Sequence, residues 1–374
     1  MRVLHLTTHL NSGGITSYIL RLAEPLRALG VATFVLSSGG TCEPLYRDRD
    51  VGLFRISIRT KSELDPRIYG ALPALLRIIK ENRIDLLHAH TRVTQVLAGW
   101  ARRFSGIPVV TTCHGFYRVR IGRRLNPSWG DYAIAISAPV AQHLIQDHRV
   151  PAERVTTVLN GVDFHGLEKS YARHDPLQRK RAYGFSEKDP VLGIVARLVE
   201  DKGHRYLIQA MPALIKKYPS IRLLVVGDGK YRVPLEHLVS ELKIVRHVVF
   251  TGALADVTEA LAAMDLFVFP ATWREGFGLS IGEAMGCGKP VIVSNIWALN
   301  DLIEDGKTGI LIPPKEADAI VRSVCQMLED HAMRIRIAKA AKETALRLFS
   351  LTRMVREIQG LYQKTLLDKK KISI

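Results

Sequence analysis

Short runs of apolar, often β-branched residues alternate with stretches in which apolar residues return every three or four positions. Residues 2–7, 32–37, 52–58, 86–89, 109–112 and 132–136 are of the first kind and predict strands of a parallel sheet buried on both faces. Between the third and fourth runs, Ile68, Leu72, Leu75, Leu76 and Ile79 recur at helical spacing with charges on the other face. The succession reads as βαβ units wound into a doubly wound parallel sheet, an α/β fold. From 166 to 190 the chain turns polar around Gln178-Arg179-Lys180-Arg181, and a domain boundary is expected there. The alternation restarts at 191–195, followed by a helix carrying Leu207, Ala210, Leu214 and Ile215. It continues through runs at 223–226, 248–251, 266–269 and 291–294, and from about 316 to 367 only helices are expected. The pattern therefore predicts two parallel-sheet domains with their boundary in 166–190 and helices alone toward the end. Both sheets' carboxyl ends should line a cleft.

Composition narrows the class. The 374 residues suit two domains at about 150 residues each. With 47% hydrophobic and 24% charged residues, wholesale disorder is excluded. Cys42, Cys113, Cys287 and Cys325 form no C-x-x-C pair, which argues against a disulfide scaffold or zinc ribbon and fits a reducing compartment. The longest apolar candidate for a membrane span, 253–269, carries Asp256, Glu259 and Asp265. Residues 1–7 are too short and polar for a signal peptide and read as a first strand, so a cytoplasmic protein is expected. The formal charge is +17. It is spread over both halves, with 21 basic and 12 acidic residues up to His165 and 32 and 24 after it. Such an excess favours anionic partners: nucleic acid, phosphorylated small molecules or an anionic membrane.

Four stretches carry candidate chemistry, each placed where a strand gives way to a helix. The first, Thr7-Thr8-His9-Leu10-Asn11-Ser12-Gly13-Gly14, lets backbone N–H groups approach an anion, although it matches neither G-x-G-x-x-G nor a P-loop. In the second, Arg197 lies just past a strand and Lys202 just before a helix, a pair able to neutralise a diphosphate or equally to sit solvated at the surface. The third, Gly227-Asp228-Gly229, either closes a helix–strand contact or lets a ligand approach. The fourth, 269–285, puts Glu275 on a loop and Glu283 in the helix that begins near Leu279. Both carboxylates can then face one cleft, beside the free N–H groups of Gly276, Phe277, Gly278 and Leu279. Carboxylates suit sugar hydroxyls, which donate to charged acceptors.

In order, the motifs are Gly13-Gly14, His114-Gly115, Asn160-Gly161-Val162-Asp163, Arg197-Leu198 with Lys202-Gly203, Gly227-Asp228-Gly229, the Glu275/Glu283 pair, and 304–309. The chain resembles the family 4 retaining glycosyltransferases of the GT-B superfamily (glycosyl transferases group 1). That resemblance implies two Rossmann-like domains, an acceptor-binding one over 1–165 and a nucleotide-sugar-binding one over 166–350. It implies a C-terminal helix in 351–374 that crosses back to the first domain. Arg197 and Lys202 would grip the donor diphosphate, with Gly227 beside them and the Gly13-Gly14 loop approaching it. Glu283 would bind the ribose, Glu275 with the amides of Gly276–Gly278 the donor sugar, and His114 would lie near that sugar. The segment Trp297-Ala298-Leu299-Asn300-Asp301 departs from the family's G-G-x-P-E-like turn, and Trp297 reads as packed rather than ligand-stacking.

The resemblance further implies front-face displacement: the acceptor hydroxyl attacks on the side from which the phosphate leaves and passes its proton to that phosphate. The nucleotide-sugar, expected to be UDP-linked, is then a co-substrate, and no metal or cofactor is expected. The expected acceptor is a cell-surface glycan or lipid-linked hydroxyl. Arg118, Arg120, Arg123 and Arg124, interleaved with aromatic and aliphatic residues, would meet the acceptor or an anionic membrane surface, giving peripheral association. Two alternatives stay open at this point: a GT-B relative with epimerase or phosphorylase chemistry, and a basic nucleic-acid binder. The chain has no recognisable recognition helix or aromatic RNA motif, so nucleic acid is not the expected partner.

Overall fold

A computed structural model describes residues 1–11, 13–60, 62–119, 122–123, 126–273 and 275–372. The chain divides into two compact units: Met1–Gly161 with Leu351–Ile374, and Val162–Ser350.

Unit 1 carries β1 (Arg2–Leu6), β2 (Ala32–Ser37), β3 (Gly52–Arg55), β4 (Leu86–Ala89), β5 (Val109–Cys113), β6 (Tyr132–Ala135) and β7 (Val155–Thr157). They form one parallel sheet in the order β3-β2-β1-β4-β5-β6-β7. Successive side chains leave a strand on opposite faces, and both faces are apolar here. Val3, Val35, Leu86 and Val110 pack under the helices Gly14–Ala28 and Leu351–Ile372; Leu4, Leu6, Leu87 and Val109 pack on the other side. The terminal helix contributes Met354, Val355, Ile358, Leu361 and Tyr362 to the unit 1 core.

Unit 2 carries β8 (Val191–Val195), β9 (Arg222–Val226), β10 (Val248–Gly252), β11 (Leu266–Phe269), β12 (Val291–Ser294) and β13 (Ile310–Ile312). They pair in parallel in the order β10-β9-β8-β11-β12-β13. Each unit is thus a Rossmann-like α/β unit. The winding reverses beside β1 in unit 1 and beside β8 in unit 2, and ligands of such sheets bind outside the carboxyl ends at that reversal.

The expected boundary at 165/166 differs from the division at Gly161/Val162, because 166–190 is no linker. The helices Phe164–Tyr171 and Pro176–Ala182 belong to unit 2, and the basic run fastens the second of them. Lys180 is 7% exposed. Its Nζ lies 2.8 Å from the Asp265 carboxylate and donates to the Asp189 carbonyl at 2.9 Å. Arg179 reaches Glu259 at 3.5 Å. Two strands absent from the pattern, β7 and β13, are three-residue edge strands with too few apolar positions to show a period. Among the described residues no helix is long and apolar enough to cross a membrane.

Replacing Lys180 with Met keeps the stem but leaves the Asp265 carboxylate without its cation. We expect a loss of on the order of 2 kcal/mol, somewhat less than for a fully buried pair because Asp265 is partly accessible. Urea unfolding of the two proteins checks this, and an unchanged midpoint contradicts it.

Candidate active site

In unit 2 three loops leave the carboxyl ends of β8, β9 and β11 and are stitched together by backbone contacts. Leu198 N–H donates to the Asp228 carbonyl at 3.0 Å, and Tyr231 N–H donates to the Leu198 carbonyl at 3.0 Å. The approach is so close that a Cβ on Gly227 would fall 1.9 Å from the Ala196 carbonyl oxygen, at a φ of +136°. The β8 loop is tied equally tightly to the β11 loop. Thr272 N–H donates to Asp201 at 2.8 Å, and a Cβ on Gly203 (φ +72°) would meet the Pro270 carbonyl oxygen at 1.8 Å. These crossings set Lys202 against Glu275. The two side chains form an ion pair, are 16% and 17% exposed, and the Lys202 ammonium lies 5.5 Å from the centre of the Phe269 ring. Glu275 also accepts from Gly276 N–H at 3.2 Å.

Arg197 is exposed at the end of β8 and makes no ion pair among the described residues. Gly278, at φ +75°, caps the helix Leu279–Gly286, whose first-turn N–H groups have no intrahelical acceptors, and Phe277 is buried against Phe349. Glu283 stands half-buried on that helix. The structure therefore brings Arg197, Lys202, Gly227, Glu275 and Gly276–Leu279 onto the carboxyl edge of one sheet. A dianionic group there would meet the Arg197 guanidinium, a Lys202 ammonium that it would share with Glu275, and a helix N-terminus, and hydroxyls would meet the Glu275 carboxylate. Trp297, expected to be packed, is 38% exposed: it follows the carboxyl end of β12 on a turn rather than inside a layer.

Unit 1 holds a group that the motif reading missed. Parallel pairing sets His5 of β1 beside His88 of β4. His90 and His114 follow His88 and Thr112 by two residues each, so alternation returns them to the same face. The result is a chain of imidazoles. His5 Nδ1 lies 2.9 Å from His90 Nε2, and His90 Nδ1 lies 3.1 Å from His114 Nε2. His88 is held by the Tyr362 hydroxyl at 2.6 Å and by Thr112 Oγ1 at 2.7 Å. Nitrogens of His5, His88 and His90 lie within 4.8 Å of one another, close enough to be considered for a metal. Both ring nitrogens of His88 and of His90 are already engaged, however, so the arrangement is a hydrogen-bond network. The signal was in the sequence: H-x-H in Leu87-His88-Ala89-His90, at the end of a strand. His204, also overlooked, is 1% exposed at the start of the helix His204–Lys217, with both ring nitrogens lacking a partner.

The Gly13-Gly14 loop follows β1 and opens the helix Gly14–Ala28; a Cβ on either glycine would meet nothing within 4 Å. Of the expected arginines, Arg118 is exposed, and Arg123 stacks 4.4 Å from the centre of the Tyr117 ring. Arg120 and Arg124 lie outside the described residues.

Two Rossmann-like units in one chain, each with polar chemistry at its winding reversal, are the domain make-up of the GT-B fold. Family models match the two units in succession: Glycosyltransferase Family 4 over residues 12–165 and Glycosyl transferases group 1 over residues 177–344. The chain belongs to the family 4 glycosyltransferases. It is 27% identical over 308 residues to N-acetyl-alpha-D-glucosaminyl L-malate synthase of Bacillus anthracis, covering 79% of each chain. It is 26% identical over 314 residues to the Escherichia coli UDP-Gal:alpha-D-GlcNAc-diphosphoundecaprenol alpha-1,3-galactosyltransferase, covering 80% of each. Among solved structures, Anabaena HepE in complex with UDP and glucose superposes with a TM-score of 0.84 at 23% identity, over 97% of this chain and 100% of that one.

Burial pushes His5 and His114 down to about 3, and holds His88 and His90 well below their usual value, the neighbouring imidazoles adding to the effect. Unfolded, each titrates near about 6.5. Below that pH the unfolded chain takes up protons that the folded one refuses. Stability is therefore intact above about pH 6.5 and falls as the pH drops, by about 1.4 kcal/mol per pH unit for each fully buried imidazole. His5→Asn should shed one proton's share of this slope between about pH 6.5 and 5. Melting temperatures measured across that window check the claim; equal slopes in both proteins contradict it.

Proposed function

We propose that the chain transfers a hexose-type sugar from a nucleotide-sugar, a UDP-sugar, to a hydroxyl of a lipid-linked or cell-surface glycan acceptor, with retention of configuration. The observation that carries the reading is the switch point of unit 2. There Lys202 is locked to Glu275, beside an Arg197 that no carboxylate among the described residues neutralises. Arg197 offers a fork and Lys202 a point charge to the diphosphate, Glu283 binds the ribose, and Glu275 with the amides of Gly276–Leu279 binds sugar hydroxyls. The acceptor oxygen bonds to the anomeric carbon from the face on which the bond to phosphate breaks, and the acceptor's proton passes to the departing phosphate oxygen. The developing negative charge is met by the two cations, so the step draws on positioning and electrostatics and requires no metal.

In unit 1, the open space at Gly13 and Gly14 gives a ligand access to backbone N–H groups. His114, kept neutral by burial, serves as a hydrogen-bonding partner for a sugar or acceptor hydroxyl and not as a cationic acid. Two comparisons support the donor and acceptor classes: the E. coli relative is named for UDP-Gal and a diphosphoundecaprenol-linked sugar, and HepE was solved with UDP and glucose. Arg118, Arg120 and Arg124 suit an anionic leaflet, at about 1 kcal/mol each, for an enzyme peripheral to the cytoplasmic face, whereas Arg123, expected beside them, is turned onto the Tyr117 ring.

Lys202→Ala and Glu275→Ala should each lower turnover about a hundredfold or more while melting as folded proteins, the loss expected for one removed charge stabiliser. Rates near wild type in folded variants contradict the assignment. NMR of the first-formed product should show the donor's anomeric configuration; the opposite anomer contradicts front-face displacement.

A further inference from the structure

Away from the carboxyl edge of its sheet, unit 1 holds an open cavity of about 800 Å³, framed by the second half of the helix Arg92–Ser105 and the turn that follows the helix Ala138–Gln146. Its lining is strongly biased in charge. Among the described residues, five arginines reach it and one carboxylate, Asp147. Arg102 is neutralised by Asp131, with its Nε 3.0 Å from a carboxylate oxygen. Asp147 in turn is occupied by His143 Nδ1 at 2.5 Å. That leaves Arg103, Arg123, Arg149 and Arg154, none of which has an ion-pair partner among the described residues.

The hydrogen-bonding balance has the same sign. Three buried donor atoms of the lining residues have no acceptor among the described residues: Arg123 Nη1, Trp100 Nε1 and Trp129 Nε1. All three can only donate. The Arg123 guanidinium is also pushed below its ordinary value, first by burial and then by the Arg92 charge, so a neighbouring anion would relieve it. It lies 4.4 Å from the Tyr117 ring centre and 6.0 Å from that of Trp129, which packs edge-on against His148 at 5.2 Å. The site thus pairs a surplus of donors and cations with two indoles.

We propose that this cavity is a binding site for a phosphate-bearing small organic group, such as a glycerophosphate or sugar-phosphate head. A phosphate offers three acceptor oxygens to forked guanidinium donors, and the indoles take the organic body. The volume lies within the range usual for small-ligand pockets and admits such a group with room to spare. The group comes either from a membrane phospholipid or from a free phosphorylated metabolite. The site is distinct from the Lys202/Glu275 loops of unit 2, and its test reads binding alone, so its failure leaves the transfer reaction untouched.

The full chain carries four tryptophans. Changing Trp273 and Trp297, both exposed, to Phe leaves Trp100 and Trp129 as the reporters. Titration with sn-glycerol 3-phosphate should give a saturable fluorescence change, absent with acetate at equal ionic strength. Arg123→Met should weaken it at least about tenfold, the loss of one charged hydrogen-bond partner. The exposed pair Arg103→Gln and Arg154→Gln, which carries little risk to folding, should weaken it as well. Vesicles of phosphatidylcholine with phosphatidic acid form the second arm. A change there that glycerol 3-phosphate competes away identifies a lipid head, whereas a response to the soluble phosphate alone identifies a metabolite. No saturable change in either arm, an equal change with acetate, or undiminished binding by both sets of variants overturns the proposal.

Discussion

The candidate donor site rests on a single steric constraint: the backbone of the β8 loop crosses the backbone of the β11 loop with no room for a side chain. Gly203 passes so near the Pro270 carbonyl that any Cβ would overlap it, and Gly227 passes as near to Ala196. Glycine also tolerates the positive φ these crossings need. Because the crossings fix the loops, Lys202 and Glu275 are held as a pair in a largely shielded place, where two charges must be matched to be tolerated. The glycines therefore act on the chemistry from the backbone, by fixing the spacing of charges that they do not touch.

Both units wind their sheets in the same order but fill the reversal differently. In unit 2 the carboxyl edge presents ions and a helix N-terminus. In unit 1 the strands themselves carry imidazoles into the sheet face, where the terminal helix closes over them with Tyr362 on His88. Burial keeps those rings uncharged, so the unit gains fixed hydrogen-bond directions at the cost of acid sensitivity. The contrast follows from the residue types: a fully enclosed strand residue must stay neutral, while a loop residue at the edge can keep its charge.

Much of this was legible in the pattern of apolar residues. β2, β4, β8, β11 and β12 coincide with the apolar runs residue for residue, because a buried parallel strand has no polar face to blur its ends. The Glu275/Glu283 loop and Arg197 with Lys202 were legible as motifs. What was hidden depends on pairing. His5 becomes meaningful only when parallel register sets it beside His88, which no linear spacing shows. The polar stretch around 178–181 reads as a domain boundary, whereas Lys180 is buried there and matched by Asp265, a pairing that no linear pattern shows. The edge strands β7 and β13 are too short to carry a period.

The claim that the switch point of unit 2 grips a nucleotide diphosphate is tested most directly by melting wild type and Arg197→Ala against UDP, GDP, ADP and their sugar conjugates. Arg197 is exposed and makes no ion pair among the described residues, so the substitution should leave the fold alone. A ligand at a hundred times its dissociation constant stabilises the folded state by about 2.7 kcal/mol, a shift that melting resolves. The account predicts a shift of wild type by one nucleotide family, UDP, and a much smaller one for the variant. No shift with any nucleotide, or the same shift in both proteins, would contradict it.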